Sequence, residues 1–182
     1  MKDKTFKIAF LGLMLGTIIV LLVIERMLPP LPFLPPHFKL GLSNIIVMYT
    51  LFFVGKKEAL TLAILKSFFN LLMRGPLGGL LSLCGGMLSI IIIILLSGAF
   101  KSKISIFVLS IFGAIAHNVG QIAVVSALLQ NINLLIYYMP VLLVAGGIVG
   151  AITGMSSKIL MPILSRLQKN SPINKENIQG GE

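Results

Sequence analysis

From Pro76 to Phe100, and again from Ile104 to Gln130, the chain carries no Lys, Arg, Asp or Glu. A soluble helix of that length needs a polar face for water, and neither run has one. A helix crosses ~30 Å of hydrocarbon with about 20 predominantly apolar residues. Six such runs are readable: 7–28, ended by Pro29 and Pro30; 40–54, closed by Gly55; 59–73; 76–100; 104–130; and 134–164. The second and third are short. They could be two full spans or a re-entrant pair. Composition agrees with the bilayer as solvent: 57% of residues are hydrophobic and 11% charged, where soluble domains carry about 25% charge. The expected fold class is an all-α integral membrane protein. It would be a bundle of about six transmembrane helices forming one domain over residues 1–168.

The basic residues fix an expected orientation. If the ends of the six runs alternate from an inside N-terminus, the inside segments hold eleven cations, among them Lys2, Lys4, Lys7, Lys56, Lys57, Lys101, Lys103 and Lys158. The outside segments hold three, Arg26, Lys39 and Arg74, and Lys66 remains within a run. Cytoplasmic loops carry this kind of excess, so both termini are expected in the cytoplasm and the protein in the cell membrane. The net charge of +10 then reads as topology signal and contact with anionic lipid, with no nucleic-acid partner. The first run is too long for the apolar core of a signal peptide and is expected to be a retained helix. The polar stretch 169–182, with Pro172, Gly180 and Gly181, reads as a disordered cytoplasmic tail. No internal repeat is evident.

Much catalytic chemistry lacks its residues. The chain has one Asp, Asp3, and four Glu, Glu25, Glu58, Glu176 and Glu182. No Asp-rich Mg²⁺ site can form, and no Walker loop occurs. The nearest approach to a zinc set, His37, Cys84 and His117, has no motif spacing. The expectation is therefore a protein that is not an enzyme, with no metal and no cofactor. Cys84, alone in an apolar run, can form no internal disulfide and reads as a small buried thiol.

Polar residues at membrane depth are costly and mark function or interhelical bonding. Lys66, Asn70 and Arg74 recur at i, i+4, i+8 and share a helix face, with Ser67 beside them. Two cations without an acid in the same helix favour an anionic ligand. The plainer alternative has Arg74 reaching to the interface and Lys66 bonded to a carbonyl. The run His117-Asn118-Val119-Gly120-Gln121 places three polar side chains within the fifth span. They need partners on other helices, or a ligand. The proline-rich segment 29–36 is either a stiff cap over a polar pocket or a plain linker, with Ser43 and Asn44 following it.

Small residues form stripes that let helices approach closely. Ala9, Gly12 and Gly16 make one on the first run, where Gly12 and Gly16 match GxxxG. Gly146, Gly150 and Gly154 make a second, and Gly78, Gly79, Gly85 and Gly86 add small residues to the fourth run.

Several separated segments carry a resemblance over about residues 5–165: Glu25-Arg26 before the proline segment, Lys39-Leu40-Gly41-Leu42-Ser43-Asn44-Ile45, Lys66-Ser67-Phe68-Phe69-Asn70 with Arg74-Gly75, and Ala116-His117-Asn118-Val119-Gly120-Gln121. Together they resemble the Gx transporter family, also labelled heptaprenyl diphosphate synthase component I. That family is similar to the substrate-binding (S) components of energy-coupling factor transporters. The resemblance implies a six-helix subunit whose pocket opens outward beneath the first loop. Asn44, Lys66, Asn70, Arg74, His117, Asn118 and Gln121 would bind a small anionic vitamin, quinone or isoprenoid precursor. Ala9, Gly12 and Gly16 would dock on a transmembrane coupling protein, with ATPase subunits supplying energy. The synthase label points to another role, since prenyl elongation needs aspartate-bound Mg²⁺ that this chain cannot supply. That alternative is a non-catalytic membrane subunit assisting heptaprenyl diphosphate synthesis or a redox complex.

Overall fold

The computed structural model of the chain describes residues 2–27, 42–100 and 104–169. Among these residues there are five helices and no strand: α1 (Lys2–Met27), α2 (Asn44–Phe53), α3 (Lys56–Ala99), α4 (Ile106–Leu128) and α5 (Ile132–Lys169). Stretches of α1, α3, α4 and α5 are long and apolar enough to cross a membrane. The protein is a multi-pass membrane protein.

α3 is not one straight helix. Gly75 interrupts it with φ 77° and ψ −178°, a backbone conformation essentially restricted to glycine. Pro76 follows as the first residue of the next limb, where its missing N–H would have no helical partner anyway. The limbs, 56–74 and 76–99, fold back on each other. Ser67 Oγ and Ser82 Oγ lie 3.3 Å apart, whereas fifteen residues of straight helix would separate them by ~22 Å. Further along, a Cβ built on Gly86 meets Ala63 Cβ at 3.9 Å. The two apolar runs 59–73 and 76–100 are thus the limbs of one antiparallel hairpin.

α2 is the main departure from the expected spans. Its ten residues rise only ~15 Å, half of a hydrocarbon core, because the chain turns at Leu42-Ser43 before the helix begins. The expected span over 40–54 is a half-length helix in its described part. Gly55 then turns the chain, and α3 returns beside α2. The proline segment 29–36 and Lys39 lie outside the described residues. So does the tail from residue 170 onward, while α5 itself continues through Lys169.

Glycines set the spacing of the rest. In α5, a Cβ on Gly146 would lie 2.9 Å from Ile115 Cα, and one on Gly154 would lie 3.0 Å from Phe107 Cα. Gly150 meets Ile111 between them. The stripe read in the sequence therefore seats α5 antiparallel on α4. Gly120 of α4 is as close to α3: a Cβ built on it would lie 3.0 Å from Gly85 Cα. Ser105 caps α4, its side chain accepting a bond from Val108 N at 3.3 Å.

α1 packs through one face only. Met14, Ile18 and Leu22 are buried against Ile46, Val47 and Tyr49 of α2 and Leu62, Ala63 and Ile90 of α3, and Glu25 continues the same face. Polar contacts fasten both ends. Lys7 pairs with Glu58, and Arg26 Nη1 donates to Met73 O at 3.2 Å.

The Gly75 turn has a direct test. Gly75→Ala should destabilise the protein by on the order of 1–3 kcal/mol in chemical unfolding in mild detergent. A Cβ there meets nothing within 4 Å, so the whole cost is backbone strain. An unchanged unfolding midpoint would mean that the hairpin does not need this conformation.

Candidate functional site

The half-length of α2 matters because of what stands at its first residue. The α2–α3 turn at Gly55 brings Asn44 level with Lys66, and Lys66 Nζ donates to Asn44 Oδ1. Lys66 is only 5% exposed. An ammonium so placed needs acceptors and counter-charge. One turn further, Asn70 Nδ2 donates to Ser82 Oγ at 2.9 Å across the hairpin, and Ser67 Oγ donates to Ala63 O at 2.7 Å. Arg74 ends the stripe, half-buried. The expected stripe of Lys66, Asn70 and Arg74 is thus turned inward at its first two members.

Within α3 the nearest acid in sequence, Glu58, pairs with Lys7, and the acid beside the cations comes from α1. Glu25 is buried and lies within electrostatic reach of both Lys66 and Arg74. In the sequence it stands forty-one residues before Lys66. The available signal was its register: Met14, Ile18, Leu22 and Glu25 fall at i, i+4, i+8, i+11, so the carboxylate continues the buried face of α1. The argument that the cations have no nearby acid holds within α3 and fails for the folded protein.

Lys66 and Asn44 open onto a cleft between α2 and the α3 hairpin. Ser82 and Ser89 also line it, together with apolar residues of α2 and α3. Its empty space, counting the open mouth, is about 340 Å³. It is narrow throughout, so anything larger than water must part its walls. Ser82 and Ser89 escaped sequence reasoning because serine is unremarkable in a membrane helix. Their i, i+7 spacing with Gly85 and Gly86 between them was the only cue. Ser43, 1% exposed, holds a hydroxyl oxygen without a hydrogen-bond partner at the start of α2.

The α4 polar residues divide. His117 is buried, with its Nδ1 unpartnered. It abuts Gly85, where a Cβ would lie 3.0 Å from its Cε1 and 2.8 Å from its carbonyl oxygen. It is also within electrostatic reach of Lys66. Gln121, half-buried, abuts the same glycine, where a Cβ would lie 3.0 Å from its Cγ. Asn118 turns away, its Nδ2 donating to Leu142 O of α5 at 3.4 Å. None of the three lines the cleft in this conformation. Cys84 neighbours this α3–α4 contact and is half-buried. Among the described residues no group of three His, Cys, Asp or Glu side chains could hold a metal ion.

Ala9, Gly12 and Gly16 lie on the opposite side of α1 from Glu25 and are exposed. A Cβ on Gly12 or Gly16 would meet nothing within 4 Å. Unlike Gly146, Gly150 and Gly154 of α5, these approach no other helix among the described residues.

The family model described as heptaprenyl diphosphate synthase component I matches residues 14–160, which takes in Glu25, Asn44, Lys66 and the other polar residues around the cleft. The chain belongs to the heptaprenyl diphosphate synthase component I family. No curated protein and no solved structure matches it. The family match covers α2, the α3 hairpin and α4 completely, while Ala9 and Gly12 of the small-residue stripe fall before it.

The balance between Glu25 and the two cations can be measured. Glu25→Gln should destabilise this family member by on the order of 3 kcal/mol, the cost of removing one partner from a buried charge group. Adding Lys66→Met should restore part of the loss. Both are read from unfolding midpoints in mild detergent. Equal stability of Glu25→Gln and the parent would show that the carboxylate balances nothing.

Proposed function

We propose that the protein is the substrate-binding membrane subunit of a transporter resembling the energy-coupling factor type, and that it takes up a small anionic vitamin, quinone or isoprenoid precursor. In this reading both limbs of α3 and the α2 region cross or enter the bilayer, both termini face the cytoplasm, and the membrane is the cell membrane. The chain itself performs no catalysis. The observation that carries the proposal is the buried Lys66 ammonium. It stands at a cleft with Asn44 and Ser82, and one carboxylate, Glu25, answers two cations. A group of this kind is expensive at membrane depth and has a use if an anion completes it. Asn70 and Arg74 belong to the same stripe, and His117 and Gln121 would join the ligand's surroundings once the cleft widens. Asn118 has the weaker claim, since its amide already bonds α5.

The open stripe supports the transport reading further. Ala9, Gly12 and Gly16 would receive a transmembrane coupling protein, to which ATPase subunits attach. Gly12→Leu and Gly16→Leu should leave the stability of the isolated subunit unchanged, since neither position meets another helix. They should weaken co-purification with the coupling protein at least tenfold. Loss of stability, with assembly intact, would assign the stripe to the subunit's own fold.

A second reading has one observation in its favour, the family's description. A non-catalytic subunit assisting heptaprenyl diphosphate synthesis, or a redox complex, would need the same polar cluster only as an interhelical network. Thermal unfolding of the purified protein against vitamins, quinone precursors and prenyl phosphates separates the two. A ligand near 100 Kd should add ~2.7 kcal/mol of stability. That gain should vanish in Lys66→Ala and diminish in His117→Ala. If no compound stabilises the protein and both variants are merely less stable, the accessory reading stands and the transport reading falls.

A further inference from the structure

The cleft has two unlike ends. The register of the α3 hairpin and of the α2–α3 turn orders its lining by depth. Lys66, Asn44 and Ser82 stand at one level. Gly86 stands opposite Ala63 about one turn along. Leu51, Ile90 and Ile93 close the far end, where Ser89 is the one hydroxyl among apolar neighbours. From Ser82 to Ile93 the lining face of α3 rises roughly 16 Å. Among the described residues Lys66 is the only cation lining that length, and Glu25 offsets part of its charge. A phosphate or diphosphate carrying several charges would find too few partners here, whereas one negative charge would be met. Once the walls part, the apolar end would disfavour a compact polar molecule and suit a slender hydrocarbon or flat ring.

We infer that the ligand is an amphiphilic monoanion, with its single oxyanion at Lys66, Asn44 and Ser82 and its apolar body lying along Gly86 toward Leu51 and Ile93. This rests on the binding-subunit reading and narrows it. Compact polar vitamins and free diphosphates are excluded, and carboxylates on an apolar body are selected. Gly86 acts as a specificity residue. Its missing side chain keeps the middle of the cleft from being filled once the walls part, and a Cβ there would meet only Ala63 Cβ, at 3.9 Å. Gly86→Ala therefore keeps the fold and narrows the path.

The test uses the full chain in phosphatidylcholine nanodiscs, with thermal unfolding followed by circular dichroism. The probes are acetate, hexanoate and decanoate, with succinate as a compact dianion and decanol as the neutral twin of decanoate. Protection should rise from acetate to decanoate and be absent with decanol. Lys66→Met should weaken decanoate at least tenfold. Gly86→Ala, and independently Leu51→Phe, should weaken decanoate several-fold while leaving the small effect of acetate unchanged. Decanol protecting as well as decanoate, or decanoate protection indifferent to both narrowing variants, would overturn the inference. Protection by succinate alone, lost in Lys66→Met, would overturn the amphiphile while sparing the binding subunit. No Lys66-dependent protection by any anion would remove the binding-subunit reading itself. A parallel arm replaces part of the phosphatidylcholine with phosphatidylglycerol. Lys66-dependent protection by that lipid, competing with decanoate, would support the same chemistry and name the bilayer as its source.

Discussion

An ammonium buried among helices in a bilayer cannot be left to solvent, and much of this fold can be read as the means of satisfying Lys66. Hydrocarbon offers no acceptors, so they must come from elements brought close by the chain. α2 is half-length and begins at Asn44, which sets an amide oxygen at the level of the lysine. The Gly75-Pro76 turn folds α3 on itself and brings Ser82 to Asn70, one turn from Lys66. α1 contributes Glu25 by keeping its buried face in register from Met14 onward. Each of these is a local backbone decision, and together they set polar groups around Lys66.

The glycines explain how polar groups so closely set can coexist with so little hydrophobic driving force. In lipid, helix association depends on close van der Waals packing and hydrogen bonds. The α4–α5 pair obtains it from Gly146, Gly150 and Gly154. The α3–α4 pair obtains it from Gly85 and Gly120, and the same approach presses His117 and Gln121 toward the α3 hairpin. α1 differs in kind. Its small residues face outward, and its hold on the bundle comes from one apolar face and from polar contacts at its two ends. A helix attached in that way presents one side to the polar cluster and the other to whatever lies beside the protein.

What the sequence made legible follows from this physics. The long uncharged runs, the break at Gly75-Pro76 and the inward-facing stripe of Lys66 and Asn70 are periodicity and composition, which survive folding unchanged. The close-packing role of Gly146, Gly150 and Gly154 was legible for the same reason. Asn44 was within reach because it belongs to a recognisable segment. The half-length of α2 was not, since apolar character alone does not tell where a turn at Leu42-Ser43 will end a helix. Glu25 was misjudged because helix-face arguments work within one element, and its partners lie on another. Ser82 and Ser89 carry almost no signal until a neighbouring helix supplies Asn70 or a cleft. Asn118 shows the converse. Its place in the polar run already sets it a 100° rotation from the face that His117 and Gln121 share, and that rotation delivers it to Leu142.

The narrowness of the cleft bears on how any molecule would be held. A site that must part its walls binds with an apparent affinity reduced by the fraction of protein already open. The elements that could part differ in how firmly they are fixed. α4 and α5 are locked by backbone-to-backbone approaches at three glycines, and the α3 hairpin by its own serine and asparagine bonds. α2 is short, flanks the cleft along one side, and touches the polar cluster chiefly through the Asn44 to Lys66 bond. An oxyanion entering at Lys66 would have to part α2 from the α3 hairpin, and the apolar contacts of α2 would be what resists that displacement. The ammonium has three N–H donors, and Asn44 takes one of them, so an anion would join Asn44 at Lys66 and need not replace it. The bond that satisfies the lysine in the closed protein would thus hold it in place for a ligand in the opened one.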